Sequence, residues 1–75
     1  MKKKGTLQNR LHVLRAEHKM SQGDLAKKVG VSRQTISSLE ANRYNPSLLL
    51  AFELARVLET NMLEIFTYEH EEEMK

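Results

Sequence analysis

Arg33 and Gln34 stand side by side directly after Ser32, and the next apolar residues are Ile36 and Leu39. Ser32 has the chemistry of a helix N-cap, because its hydroxyl can accept one of the backbone N–H groups that a first helical turn leaves unpartnered. The two long side chains therefore fall at the amino end of a short helix whose other face is apolar. Arginine offers a planar fork of donors, and glutamine offers a donor beside an acceptor. Both shapes suit paired hydrogen bonds to a flat polar edge: O6 and N7 of guanine for arginine, N6 and N7 of adenine for glutamine. In a helix taken alone, the same residues would be ordinary solvent-facing groups of the first turn.

Other chemistries find little support. His12 and His18 are six residues apart and point to different helix faces, while His70 lies near the end, so no metal site is expected. There is no cysteine, which removes a disulfide framework and any Cys-based zinc site. No paired carboxylates, nucleophile constellation or Gly-rich phosphate loop is present, so neither an enzyme nor a cofactor or small-molecule ligand is expected. "MKKKG" has the charge of a signal-peptide start, but no apolar run follows. No stretch reaches the roughly 20 apolar residues of a membrane span. The expectation is a cytoplasmic protein with no membrane partner.

The net charge of +2 hides an asymmetry. Residues 1–45 carry ten Lys/Arg against Glu17, Asp24 and Glu40, which is +7. Residues 46–75 carry Arg56 and Lys75 against seven glutamates, which is −5. A basic half suits a polyanion, and an acidic end would be repelled by the same partner.

The elements that would position Arg33 and Gln34 are helical. Leu7, Leu11 and Leu14 at i, i+4 and i+7 predict a first helix within Thr6–Lys19. Ser21 with Asp24 three residues later resembles a capping box and opens a second helix that Gly30 ends, with Leu25, Ala26 and Val29 inward. The third helix runs from about Arg33 to Ala41. "NRYNPS" is loop chemistry, with a fourth helix beginning near Pro46–Ser47, capped by Asn45 or Ser47, and reaching about Leu58. A helical wheel puts Leu48, Ala51, Phe52, Ala55 and Leu58 on its core face. "NMLE" at 61–64 opens a short fifth helix through Phe66. Ala26 is small where two helices joined by a tight turn would cross.

These features converge in "SQGDLAKKVGVSRQTISSLE", within a longer match from about Asn9 to Phe66. The chain resembles the phage-repressor and Cro-type helix-turn-helix regulators, also called the xenobiotic-response-element (XRE) family. The resemblance implies an all-α fold: a compact five-helix, lambda-repressor-like DNA-binding domain with the helix-turn-helix at helices 2 and 3. It implies that the third helix enters the major groove of double-stranded DNA. Base contacts then fall to Arg33, Gln34, Ser37 and Ser38. Phosphate contacts fall to Ser21, Gln22, Thr35, Asn42, Arg43 and Tyr44. Arg15 and Glu40 match a structural salt bridge between helices 1 and 3. Asn42 and Glu59 stand where many members have glycine, and Leu63 where many have an acidic residue.

The expected organisation is a basic arm at 1–6, the DNA-binding domain at 7–67 and an acidic tail at 68–75. The fourth helix carries more apolar residues than one face can bury, so Leu49, Leu50, Val57, Leu63 and Tyr68 are candidates for a homodimer interface. The expected function is a transcriptional regulator, a repressor that binds a (pseudo)palindromic operator as a homodimer. The alternative is an antitoxin-like or protein-interaction module on the same fold, with a protein partner and DNA binding secondary.

Overall fold

Four helices start where a short polar side chain closes the first turn. Ser21, Ser32, Ser47 and Asn61 each accept a hydrogen bond from the backbone N–H three residues on. At Ser21 the capping box is reciprocal: the Ser21 hydroxyl accepts from Asp24 N–H, and the Asp24 carboxylate accepts from Ser21 N–H, both at 2.9 Å. The computed structural model describes residues 5–70. In chain order its elements are β1 (Gly5–Asn9), α1 (Leu11–Glu17), α2 (Gln22–Val29), α3 (Arg33–Glu40), α4 (Leu48–Val57), α5 (Met62–Ile65) and β2 (Phe66–His70).

Helices α1 to α4 all end on a residue with positive φ: Lys19, Gly30, Asn42 and Glu59. After α1, α3 and α4 the same two bonds close the end. Lys19 N–H reaches Ala16 O and Met20 N–H reaches Arg15 O; the pairs at Asn42–Arg43 and Glu59–Thr60 repeat this spacing. These are Schellman ends, a role usually given to glycine because a Cβ is strained there. Lys19→Gly and Glu59→Gly should therefore each raise stability, by about 1 kcal/mol, read as a higher midpoint in urea unfolding. Glu59 thus ends α4 in left-handed geometry although it is not glycine.

The core gathers one face from every helix: Leu11, Leu14, Leu25, Ala26, Ile36, Leu39, Leu50, Leu54, Ala55, Leu58 and Ile65. Ala26 is buried where α2 meets α3, as its size suggests. In α4 the buried face differs from the expected one. Leu50 and Leu54 turn inward with Ala51, Ala55 and Leu58, whereas Leu48 and Phe52 are exposed. Only Glu53 and Arg56 are polar in this helix, so its sequence leaves the rotation about its axis nearly free, and packing against α2 and α5 decides it.

The fold is not strictly all-α. β1 and β2 pair antiparallel, from Gly5 opposite His70 to Asn9 opposite Phe66. Thr6 to Asn9 are therefore not the start of the first helix, and Leu7 packs beside a strand partner, Tyr68, instead of above Leu11. The expected arm and tail also overlap this ladder, since Gly5 and Thr6 and Tyr68–His70 are strand residues. A two-stranded ladder is marginal alone. Here Gly5, Leu7 and Asn9 share its half-buried side, and the Tyr68 ring lies where a side chain on residue 5 would stand. Lys2, Lys3, Lys4 and residues 71–75 lie outside the described residues.

Candidate nucleic-acid interface

The turn between α2 and α3 is set by Gly30. Its φ of 79° is one that L side chains rarely adopt, although a Cβ there would meet nothing within 4 Å. The backbone, not crowding, is what selects glycine. N–H groups of Gly30 and Val31 both donate to Ala26 O, at 2.8 and 3.0 Å, which folds the chain back within three residues. Val31 then packs half-buried against the core, and Ser32 opens α3.

Ile36 and Leu39 pin α3 to the core, with exposures of 0% and 1%. Their positions fix its rotation, so the opposite side presents Gln34, Ser37 and Ala41, with Arg33 at the near edge. Arg33, Gln34 and Ser37 are exposed, and Ser38 is half-buried. Neither Arg33 nor Gln34 has a side-chain hydrogen bond or ion pair among the described residues. Gly23 is the second residue of α2, and a Cβ there would stand in ordinary contact with Arg33, 3.9 Å from its Cδ. The Arg33 stem thus runs along the amino end of α2.

At the other end of α3, Glu40 is clamped. Arg15 Nε donates to Glu40 Oε2 at 2.7 Å and Arg15 Nη2 donates to Oε1 at 3.1 Å. Gln22 Nε2 donates to the same Oε1 at 3.0 Å, and Arg15 Nη1 donates to Met20 O. Burial pushes the Glu40 carboxyl up, but the hydrogen bonds from Arg15 and Gln22 and the charge of Arg15 outweigh it, so its pKa falls below the ordinary value. The same hydrogen bond raises the Arg15 pKa. One carboxylate thus joins α1, the start of α2 and the end of α3.

The expected phosphate contacts divide into two groups. Arg43 and Tyr44 are exposed and have no side-chain partner among the described residues. Gln22, Thr35, Ser21 and Asn42 are already engaged within the protein. Ser21 caps α2, and Thr35 Oγ1 lies 2.9 Å from Ser32 Oγ. Asn42 Oδ1 accepts from Asn9 Nδ2 at 2.8 Å, so its amide carbonyl is held by the protein. Lys27 and Lys28 are exposed on α2. Asp24 lies nearby, its pKa lowered by the backbone and hydroxyl hydrogen bonds of Ser21 and, less, by the charges of Lys27 and Lys28.

A second surface lies on α4, α5 and β2. Leu48, Leu49, Phe52, Leu63 and Tyr68 are exposed, Leu63 at 86%. Leu63 and Met62 border two open apolar hollows of about 560 and 370 Å³, one reaching Phe52 and the other reaching Leu7, Leu48 and Tyr68. Two residues expected on such a face do not belong to it. Leu50 is part of the protein's own core, and Val57 packs half-buried against that core. Among the described residues no group of three or more His, Asp or Glu side chains could hold a metal ion. No described helix is long and apolar enough to cross a membrane.

Comparison with known proteins agrees with this geometry. The profile of the helix-turn-helix family matches residues 11–65. An uncharacterized HTH-type transcriptional regulator of Methanocaldococcus jannaschii is 48% identical over 66 residues, covering 88% of this chain and all of the relative. Antitoxin HipB of Escherichia coli is 38% identical over 56 residues, covering 75% of this chain and 60% of the antitoxin. Among solved structures, a restriction-modification controller protein from Aeromonas hydrophila superposes with a TM-score of 0.69 at 33% identity, covering 73% of this chain and 83% of that one. With α2, the Gly30 turn and α3 inside the matched span, the chain belongs to the XRE-type helix-turn-helix family of DNA-binding transcription regulators.

Proposed function

We propose that this regulator is a repressor that binds a (pseudo)palindromic operator as a homodimer, reading bases with Arg33, Gln34, Ser37 and Ser38. The observation that carries the reading is the amino end of α3. Arg33 and Gln34 are exposed there and have no side-chain partner among the described residues, while Ile36, Leu39 and the Glu40 clamp fix the helix beneath them. Such a helix offers long hydrogen-bonding groups on a rigid mount, as major-groove reading requires. Arg43 and Tyr44 follow the backbone, with Ser21, Gln22, Thr35 and the turn at Asn42 shaping that surface. Repression follows from occupying promoter DNA.

The reading is tested by selecting bound DNA from a random pool. Enrichment of two inverted half-sites with centres about 34 Å apart is expected. A pool that stays random would refute sequence-specific binding. Affinity for the selected site should also fall with salt, with a log–log slope of about −0.9 for each phosphate neutralised.

The apolar surface on α4, α5 and β2 supports the dimer. Leu49, Leu63 and Tyr68 remain its contributors, joined by Leu48 and Phe52. Leu63→Glu should give a folded monomer in analytical ultracentrifugation and abolish cooperative occupation of paired half-sites. A dimer of unchanged strength would move the interface elsewhere.

The similarity to antitoxin HipB favours a second reading, in which the chain also neutralises a protein partner. Co-purification of one stoichiometric protein encoded beside it would support that reading, and a chain that purifies alone from its own cells would count against it.

A further inference from the structure

Asn9 ends β1 and spends its whole side chain on joining two helices. Its Oδ1 accepts from Leu11 N–H at 2.9 Å, at the start of α1. Its Nδ2 donates to Leu39 O at 2.9 Å and to Asn42 Oδ1 at 2.8 Å, at the end of α3. Gln8 Oε1 lies 3.4 Å from Asn42 Nδ2 and adds a longer second link. The strand behind Asn9 is itself held, because Asn9 pairs with Phe66 and Arg10 N–H donates to Ile65 O. A continuous set of hydrogen bonds therefore runs from the terminal ladder to Asn42.

Asn42 is where the chain leaves α3, with φ of 60°. Glycine would meet that backbone requirement at less cost. Asparagine adds an amide, and the amide is used on Asn9. Immediately beyond it come Arg43 and Tyr44, exposed and without side-chain partners among the described residues. For a free segment, the conformational entropy lost in placing Arg43 on a phosphate would offset what that contact contributes, so the contact is kept only when the segment is already held.

We propose that Asn9 is a positioning residue for DNA binding: through Asn42 it ties the loop carrying Arg43 and Tyr44 to the β1–β2 ladder, so that the loop meets the phosphate backbone already placed. The inference rests on the DNA-binding reading given above. It assigns Asn42 a role through Asn9, in place of direct phosphate contact by its amide.

Serine at position 9 separates the two tasks of the asparagine. Its hydroxyl can still cap the start of α1, but it is too short to span to Asn42. Asn42→Gly removes the link from the other side while easing the backbone. Wild type, N9S, N42G and the double variant are titrated with the operator recovered by selection and with a random duplex, across a salt series, well below each variant's unfolding midpoint. N9S and N42G should each weaken binding to both duplexes, by about tenfold, the loss of one charge-assisted contact. The salt slope should become shallower by about 0.9, one phosphate. Base preference at the positions read by α3 should not change, and the double variant should lose no more than N9S.

A slope unchanged in N9S, or a loss confined to the operator, would overturn the proposal, since a merely structural asparagine lowers stability without altering the number of phosphates engaged. If wild type shows no salt-dependent binding to either duplex, the DNA reading itself falls and takes this role with it. Wild-type binding with an unaffected N9S overturns the role of Asn9 alone.

Discussion

Gln34→Ala should cost about 1–3 kcal/mol of discrimination at one operator position and little anywhere else, with Arg33→Ala doing the same at a neighbouring position. The expectation follows from where these residues stand. Both side chains are exposed, neither has a side-chain partner among the described residues, and neither supports the core. Truncation should therefore leave the unfolding midpoint nearly unchanged while flattening the base preference in a binding series over single-base operator variants. The Arg33 stem lies along the amino end of α2 beside Gly23, so a phosphate contact is the outcome to be told apart from base reading. If it reaches a phosphate, R33A will weaken operator and random DNA alike and make the salt slope shallower by about 0.9. Affinity measured on both kinds of duplex separates the two.

Glu40→Ala should destabilise the fold by about 1–3 kcal/mol and make its stability less sensitive to acid. Removing the carboxylate leaves Arg15, whose side chain is only 19% exposed, without its ionic partner and releases Gln22. In the folded protein the Glu40 carboxyl titrates below its unfolded value. Its contribution is therefore complete above the ordinary glutamate range near pH ~4.3 and is lost as pH falls through the lower, folded value. Asp24, also lowered, adds to the same acid-side loss. Urea unfolding at a series of pH values should show wild-type stability falling below about pH 4.5. In E40A the fall should be smaller and should start from a lower plateau. Equal acid sensitivity in the two proteins would remove Glu40 from the account.

Much of this arrangement could be read from the sequence, because it depends on local chemistry. A serine three residues before the N–H it accepts, an aspartate that returns the bond and a glycine at positive φ all act within one helical turn. Ser21, Asp24, Gly30, Ser32 and Asn61 therefore reveal their roles without tertiary context. Ile36 and Leu39 are equally legible, since they are the only large apolar residues of α3 and so define its inner face.

The remainder depends on distant partners. Leu7 falls at helical spacing from Leu11, so nothing local distinguishes a helix from a strand whose partner lies some sixty residues away. Thr67 and Tyr68 offer too short an alternation to announce that partner. The rotation of α4 was hidden for the opposite reason: eight of its ten residues are apolar, which fits almost any face. Asn42 and Gln22 illustrate a third limit. Each has the type expected of a phosphate contact, and each also bonds a side chain far along the sequence, Asn9 and Glu40 respectively, a second task that no local pattern announces.

Sequence-specific binding by α3 requires Gln34 to touch a base in the major groove, and a double-mutant cycle across the interface tests that contact most directly. Wild type and Q34A are each titrated with the selected operator and with operators carrying 7-deazaadenine at one adenine at a time, which removes the N7 acceptor and leaves Watson–Crick pairing intact. At one adenine the analogue should weaken wild type but not Q34A, giving a coupling of about 1 kcal/mol or more. Additive losses at every adenine would contradict the claim that the amino end of α3 reads base edges through Gln34.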